Sequence, residues 1–121
     1  SMGVSPYEVV PIIAATHAIA SIKGKLRRRP ELLEAFIQGG YRYAGDNRFV
    51  FSYTSFTYLN TRTLRVEVFR TGASCEVIRN GVIDHRLDVK AARNMTRLIS
   101  KWFVECYLAL ADTVAEELKN E

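Results

Sequence analysis

The sequence is poor in the residues from which most enzymes and metal centres are built. It holds two histidines, His17 and His85, and two cysteines, Cys75 and Cys106, in 121 residues. Neither cysteine has a second Cys or His at ligand spacing, so both read as buried free thiols, and neither a disulfide framework nor a zinc site is expected. No Walker loop, dinucleotide-binding glycine pattern, nucleophile motif or paired acidic site occurs; no catalytic residue, metal or cofactor is assigned, and the chain is not expected to be an enzyme. No apolar run reaches the roughly 18 residues of a membrane-spanning helix. The N-terminus lacks a basic leader and a cleavage site, and Met2-Gly3 is followed by Tyr7 where a myristoylation signal needs Ser or Thr. A cytoplasmic protein without membrane attachment is therefore expected. Prolines number three and glycines seven, with no repeat or low-complexity tract to mark a linker. Ser1 ahead of Met2 reads as the remnant of a cleaved tag, which leaves residues 2–121 as one domain.

What is present is ordinary in amount and uneven in placement. At 48% hydrophobic and 25% charged residues the chain can bury one core. Residues 23–101 carry sixteen of the seventeen Lys and Arg against seven of the thirteen acids, a net of +9, whereas residues 102–121 carry −4. Twelve of the basic residues are Arg, whose fork suits carboxylate or phosphate better than a Lys point charge does.

Periodicity predicts an α+β fold. Ser5-Pro6-Tyr7-Glu8 has the form of a capping box with proline at the first helical position. Ile12, Ala15, Ile19, Ile22 and Leu26 follow at helical spacing, with a kink expected at Pro11. A second short helix opens at Pro30, turns Leu32, Leu33, Phe36 and Ile37 inward, and stops at Gly39-Gly40. The period then becomes two, in Phe49, Phe51 and Tyr53 and again in Leu64, Val66 and Val68. Residues 54–62 fit either a bulged strand or an aromatic loop, because the apolar parity shifts at Phe56. Asn80-Gly81 is a type I′ hairpin turn that sets Arg79 opposite Val82, Ile78 opposite Ile83, Val77 opposite Asp84 and Glu76 opposite His85. A preceding turn at Gly72-Ala73 sets Val68 opposite Val77 and Phe69 opposite Glu76. Leu64, Val66, Val68, Cys75, Val77 and Val82 then form the core face, with Arg65, Glu67, Phe69, Glu76, Ile78, Ile83, His85 and Leu87 on the other. Asp88 caps a last helix running to about residue 118, with Met95, Leu98, Ile99, Trp102, Cys106, Leu110 and Val114 as its stripe. The architecture is thus two N-terminal helices, an antiparallel meander of four or five strands, and a long C-terminal helix packed on one sheet face.

Three features point to function. Lys23, Lys25, Arg27, Arg28 and Arg29 put five cations in seven residues, more than complementing a helix dipole requires, and clustered cations gain affinity for a polyanion by releasing its counterions. Lys90, Arg93, Arg97 and Lys101 recur every three or four residues where the last helix should begin, with Asp112, Glu116 and Glu117 near its end. Both placements oppose the dipole, so the cations should serve either an external anion or acids such as Glu31 and Glu34. Finally, residues 102–111 are apolar nearly all round the helix, which implies burial on two sides, by the sheet and the first helix or by the sheet and a second copy. Trp102, Phe103, Tyr107 and Leu108 are the candidate interface of a homodimer.

Two weaker hints accompany these. Aromatics Tyr41, Tyr43, Phe49, Phe51, Tyr53, Phe56 and Tyr58 interleave with Arg42, Arg48 and Arg62, as on sheets that stack bases, although strands favour aromatics for packing alone. His85 opposite Glu76 resembles an acid–base pair but is equally an ordinary cross-strand contact. The combined expectation is a small non-enzymatic binding module for an anionic partner, nucleic acid first, through the nine cations of the two clusters. The alternative is a protein-interaction or inhibitor domain acting through an apolar helix surface.

Overall fold

The computed structural model describes residues 7–45 and 47–120. Helices α1 (Pro11–Lys25) and α2 (Pro30–Gln38) precede strands β1 (Tyr41–Gly45), β2 (Arg48–Phe56), β3 (Thr61–Phe69), β4 (Gly72–Arg79) and β5 (Val82–Lys90), and helix α3 (Met95–Lys119) closes the chain. The strands form one antiparallel meander in the order β1-β2-β3-β4-β5. Both long helices pack on a single face of it, α1 over β2 and β3, and α3 over β3, β4 and β5. The result is a two-layer α+β fold.

Each helix begins where a local signal permits, though not always at the expected one. Ser5 and Pro6 of the anticipated capping box lie outside the described residues. Val9 donates its backbone N–H to the Arg70 carbonyl at 2.9 Å, and α1 starts at Pro11 with Val10 as N-cap. Pro11 thus occupies the first turn, where its missing N–H has no partner to lose, and the predicted interior kink has no cause. Starting late also turns Ile12 outward, 48% exposed, while Ala15, Ile19, Ile22 and Leu26 are buried as expected. In α2, Leu32 and Phe36 are buried, Leu33 is half-buried and Ile37 faces solvent.

The turns set the sheet register, and a bulge then shifts part of it. Asn80 and Gly81 have φ of 50° and 82°, as a type I′ turn demands, and pair Arg79 with Val82 and Ile78 with Ile83. The register then slips at Asp84, so Val77 pairs with His85 and Glu76 with Arg86. One extra residue reverses the alternation. His85 and Leu87, expected on the far face, instead join the helix-covered side, where Leu87 and Val89 pack against the core. The β3–β4 turn is at Arg70-Thr71 rather than Gly72-Ala73, which pairs Phe69 with Gly72, Val66 with Cys75 and Leu64 with Val77. Gly72 is needed for another reason: a Cβ there would lie 2.2 Å from the Val89 carbonyl oxygen on β5. Residues 54–62 divide, β2 continuing to Phe56 and a turn at residues 57–60 leading into β3.

The core centres on Phe36, whose ring lies 5.2 Å from Phe103, 5.7 Å from Tyr41 and 6.4 Å from both Phe51 and Tyr107. Edge-on and tilted aromatic pairs of this kind add about 0.5–1.5 kcal/mol each beyond area burial. At the far end of α3 a polar latch ties three segments. Arg62 donates to the Glu117 carboxylate at 2.9 and 2.5 Å, the Thr57 hydroxyl donates to it at 2.6 Å and the Asn60 amide at 3.2 Å. Asn80 in the β4–β5 turn donates to Asn60 at 2.8 Å. These hydrogen bonds, Arg62 first, hold the Glu117 carboxyl down at about 2.

Candidate anionic-partner interface

The last helix begins six residues later than the Asp88 cap implied. Residues 87–90 continue β5 opposite Gly72–Cys75, and α3 takes Asn94 as its N-cap. Lys90 is therefore the last residue of a strand and Arg93 lies in the connection, its guanidinium 6.0 Å from the centre of the Tyr7 ring. Only Arg97 and Lys101 stand on α3, both exposed on its outer side. In the other cluster, Lys25, Arg27, Arg28 and Arg29 are exposed at the end of α1 and in the α1–α2 connection, and Lys23 is half-exposed.

Thr96 lines a concavity with Ile13, Ala14 and His17, and four residues on Ser100 reaches the Ala18 carbonyl at 3.4 Å, so α1 and α3 run parallel. Taking Ala18 and Ser100 as level, Lys25 and Arg97 are offset by roughly 15 Å along the helix axes at 1.5 Å per residue, and the near ends of the two patches, Lys23 and Lys101, by roughly 6 Å. The larger offset is about the rise of four base pairs of duplex. Between them the outer side of α1 presents Ile12, Ile13, Thr16, His17 and Ala20, all exposed and none carrying an acid that would repel an anion.

What the cations meet decides how they should be read. Among the described residues, none of Lys23, Lys25, Arg27, Arg28, Lys90, Arg93, Arg97 and Lys101 has a carboxylate within 4.0 Å; of the nine predicted cations only Arg29 is paired, with Glu31 at 2.8 Å. Glu34, the other proposed internal partner, accepts instead from Gln38 at 3.0 Å. Hydrogen bonding from Arg29 lowers the Glu31 carboxyl below its ordinary value.

The outer face of the sheet treats its arginines differently. Arg48 and Arg65 meet Glu67 at 3.8 and 3.0 Å, Arg65 and Arg86 meet Glu76 at 3.3 and 3.4 Å, and Arg86 meets Asp88 at 3.1 Å. Three arginines and three acids alternate there and neutralise one another. Sequence reasoning missed this lattice, although Arg65/Glu67 and Arg86/Asp88, each two apart on one strand face, were its signal. Arg42 was also passed over: it has no carboxylate within 4.0 Å among the described residues, and lines a concavity of about 450 Å³ with Gly39, Ser52 and Arg65.

Other expected site residues lie elsewhere. Phe103 and Tyr107 are fully buried against Phe36, Phe51 and Tyr53 and cannot anchor a surface contact; Trp102 is 8% exposed and Leu108 is half-buried. Of the strand aromatics, Phe49 and Phe51 are buried and Arg62 is committed to Glu117, leaving Tyr43, Phe56 and Tyr58 exposed. That is not a stacking platform. The bulge takes His85 away from Glu76 and places it against Trp102, ring centres 6.3 Å apart. Burial pushes the Cys75 thiol up to about 12 and also raises Cys106, which keeps both protonated at neutral pH. Among the described residues no group of three His, Cys, Asp or Glu could hold a metal ion, and no helix is long and apolar enough to cross a membrane.

Comparison with protein-family models, with curated proteins and with solved structures finds no match to this chain.

Proposed function

We propose that the chain is a non-enzymatic binding module whose helical layer engages an anionic partner, nucleic acid being the first candidate. The observation that carries this reading is the absence of internal neutralisation: eight of the nine clustered cations have no carboxylate partner among the described residues, while Arg48, Arg65 and Arg86 on the sheet face each have one. Exposed cations held apart from acids keep their counterions, and those counterions are what a polyanion displaces. Lys23, Lys25, Arg27 and Arg28 would contact one stretch of backbone, and Arg93, Arg97 and Lys101 another. No base-reading motif accompanies them, so the interaction would follow charge and spacing rather than sequence.

The test is fluorescence anisotropy with labelled single- and double-stranded oligonucleotides at low salt, where electrostatic association is strongest. Binding with a Kd on the order of micromolar, weakening steeply as salt rises, is expected. No binding to either oligonucleotide at the lowest salt would end this reading. One observation favours a second, a protein-interaction or regulatory role: Val10, Ile12 and Ile13 are 56%, 48% and 54% exposed, an apolar helix surface other than the predicted one. Binding through it would hardly respond to salt.

A further inference from the structure

The sheet has two unpaired edges, and only one is fit for use. β1 spans five residues and ends in an irregularity at Gly45, whose φ of 80° breaks the ladder. β5 spans nine residues, contains no proline, and is hydrogen-bonded to β4 alone. Beside it, between β5 and α3, lies a groove of about 460 Å³ lined by Leu87, Val89, Leu98 and Trp102. The Trp102 indole N–H is buried and has no acceptor. α3 thus leaves the inner side of this edge open rather than capping it.

We infer that β5 is the contact surface of a homodimer, pairing antiparallel with β5 of a second copy about a two-fold axis at Leu87 to make a continuous ten-stranded sheet. The occupant is a second copy because the strand is charge-complementary to itself. On its outer face Arg86 and Asp88 flank the axis, so the Leu87-centred register sets each Arg86 opposite the partner's Asp88, twice by symmetry. On the inner face it sets Leu87 against its own copy and His85 against the partner's Val89, covering residues that one chain leaves half-buried or exposed. Neighbouring registers lose this match, and an axis at Val89, which would set Asp88 against the partner's Lys90, leaves Arg86 opposite position 92, beyond the end of β5. An axis at Arg86 opposes two arginines, one at Asp88 opposes two aspartates and sets Arg86 against Lys90, and one at His85 puts the bulge at the axis, where the ladder is interrupted. An unpaired strand edge with a complementary copy available is the ordinary substrate of strand addition.

This inference does not rest on anion binding, since neither Arg86 nor Asp88 belongs to the helical clusters. Sedimentation velocity on the full chain should show a dimer. Asp88→Arg should raise the dimer dissociation constant by about tenfold or more, as two attractive pairs become repulsive. The exchange Arg86→Asp with Asp88→Arg should restore association, because it keeps both pairs across the two-fold axis opposite in sign, at some cost in stability where position 86 meets Glu76. Leu87→Cys should cross-link to itself under mild oxidation, whereas Val89→Cys should do so only when mixed with His85→Cys. Circular dichroism confirms that each variant folds. A wild type that stays monomeric at the highest concentration reached, or a dimer that ignores Asp88→Arg and cross-links with no preference for position 87, would overturn the assignment.

Discussion

The two outer surfaces of this protein both carry cations and treat most of them in opposite ways. On the exposed face of the sheet, Arg48, Arg65 and Arg86 are interleaved with Glu67, Glu76 and Asp88, and Glu76 is only 7% exposed between two of them. On the helical layer, Lys23, Lys25, Arg27, Arg28, Arg97 and Lys101 have no carboxylate within 4.0 Å among the described residues. Net charge therefore misleads as a guide to binding. The sheet-face arginines count toward it as fully as the helical cations do, but their positive charge is already spent on neighbouring acids and contributes to stability. What remains without a carboxylate partner among the described residues is chiefly the helical share, with Arg42 and Lys90 on the sheet.

The largest expected effect separates these surfaces directly. Reversing Arg27, Arg28 and Arg29 to Glu should lower oligonucleotide affinity by about 100-fold or more at low salt, several phosphate contacts being lost at once, with the melting temperature nearly unchanged because all three side chains are exposed. Anisotropy and thermal unfolding measured on the same sample check both halves. Glu76→Ala should do the reverse. It removes one of two carboxylate partners from each of Arg65 and Arg86, which keep Glu67 and Asp88, and should cost about 1 kcal/mol in chemical unfolding, both arginines being partly solvated, and leave oligonucleotide affinity unchanged. A fall in affinity as large as that of the triple variant would erase the distinction between the surfaces.

A third expectation concerns the latch at the end of α3, where an acid that opposes the helix dipole is held by Arg62. Its folded-state value of about 2 lies below the ordinary 4.5, so its stabilisation is fully present above about pH 5 and is lost as pH falls toward 2. Glu117→Gln should be less stable than wild type at neutral pH, and the gap should close on acidification. A gap that stayed constant from pH 6 to about pH 2 would show that the ion pair is not the source of the stabilisation.

The element order was legible because each element has its own period, and the Asn80-Gly81 turn because both residues tolerate positive φ. The bulge at Asp84 was not, since nothing in Val82–Lys90 marks an extra residue, and that one slip misplaced His85 and Leu87. Asp88 has the right chemistry for an N-cap, yet strand pairing with Ser74 claims it, and Lys90 and Arg93 leave the helix with it. The all-round apolar stretch of α3 correctly implied burial on two sides: the sheet takes one, and α1 with α2 takes the other. Of the candidate site, the Lys23–Arg29 cluster was visible as composition alone. Whether its members were paired depended on contacts distant in sequence, and those exist only once the chain has folded.

The salt dependence of oligonucleotide binding tests the central claim most directly, compared among wild type, a helical variant with Arg27, Arg28 and Arg97 changed to Gln, and a sheet variant with Arg48, Arg65 and Arg86 changed to Gln. For duplex DNA the slope of log affinity against log salt falls by about 0.9 for each phosphate contact removed. The helical variant should lose a slope of about two to three on that basis, with the sheet variant matching wild type in slope and losing only stability. Equal loss of slope in the two variants, or loss in the sheet variant alone, would contradict the assignment of anion binding to the helical layer.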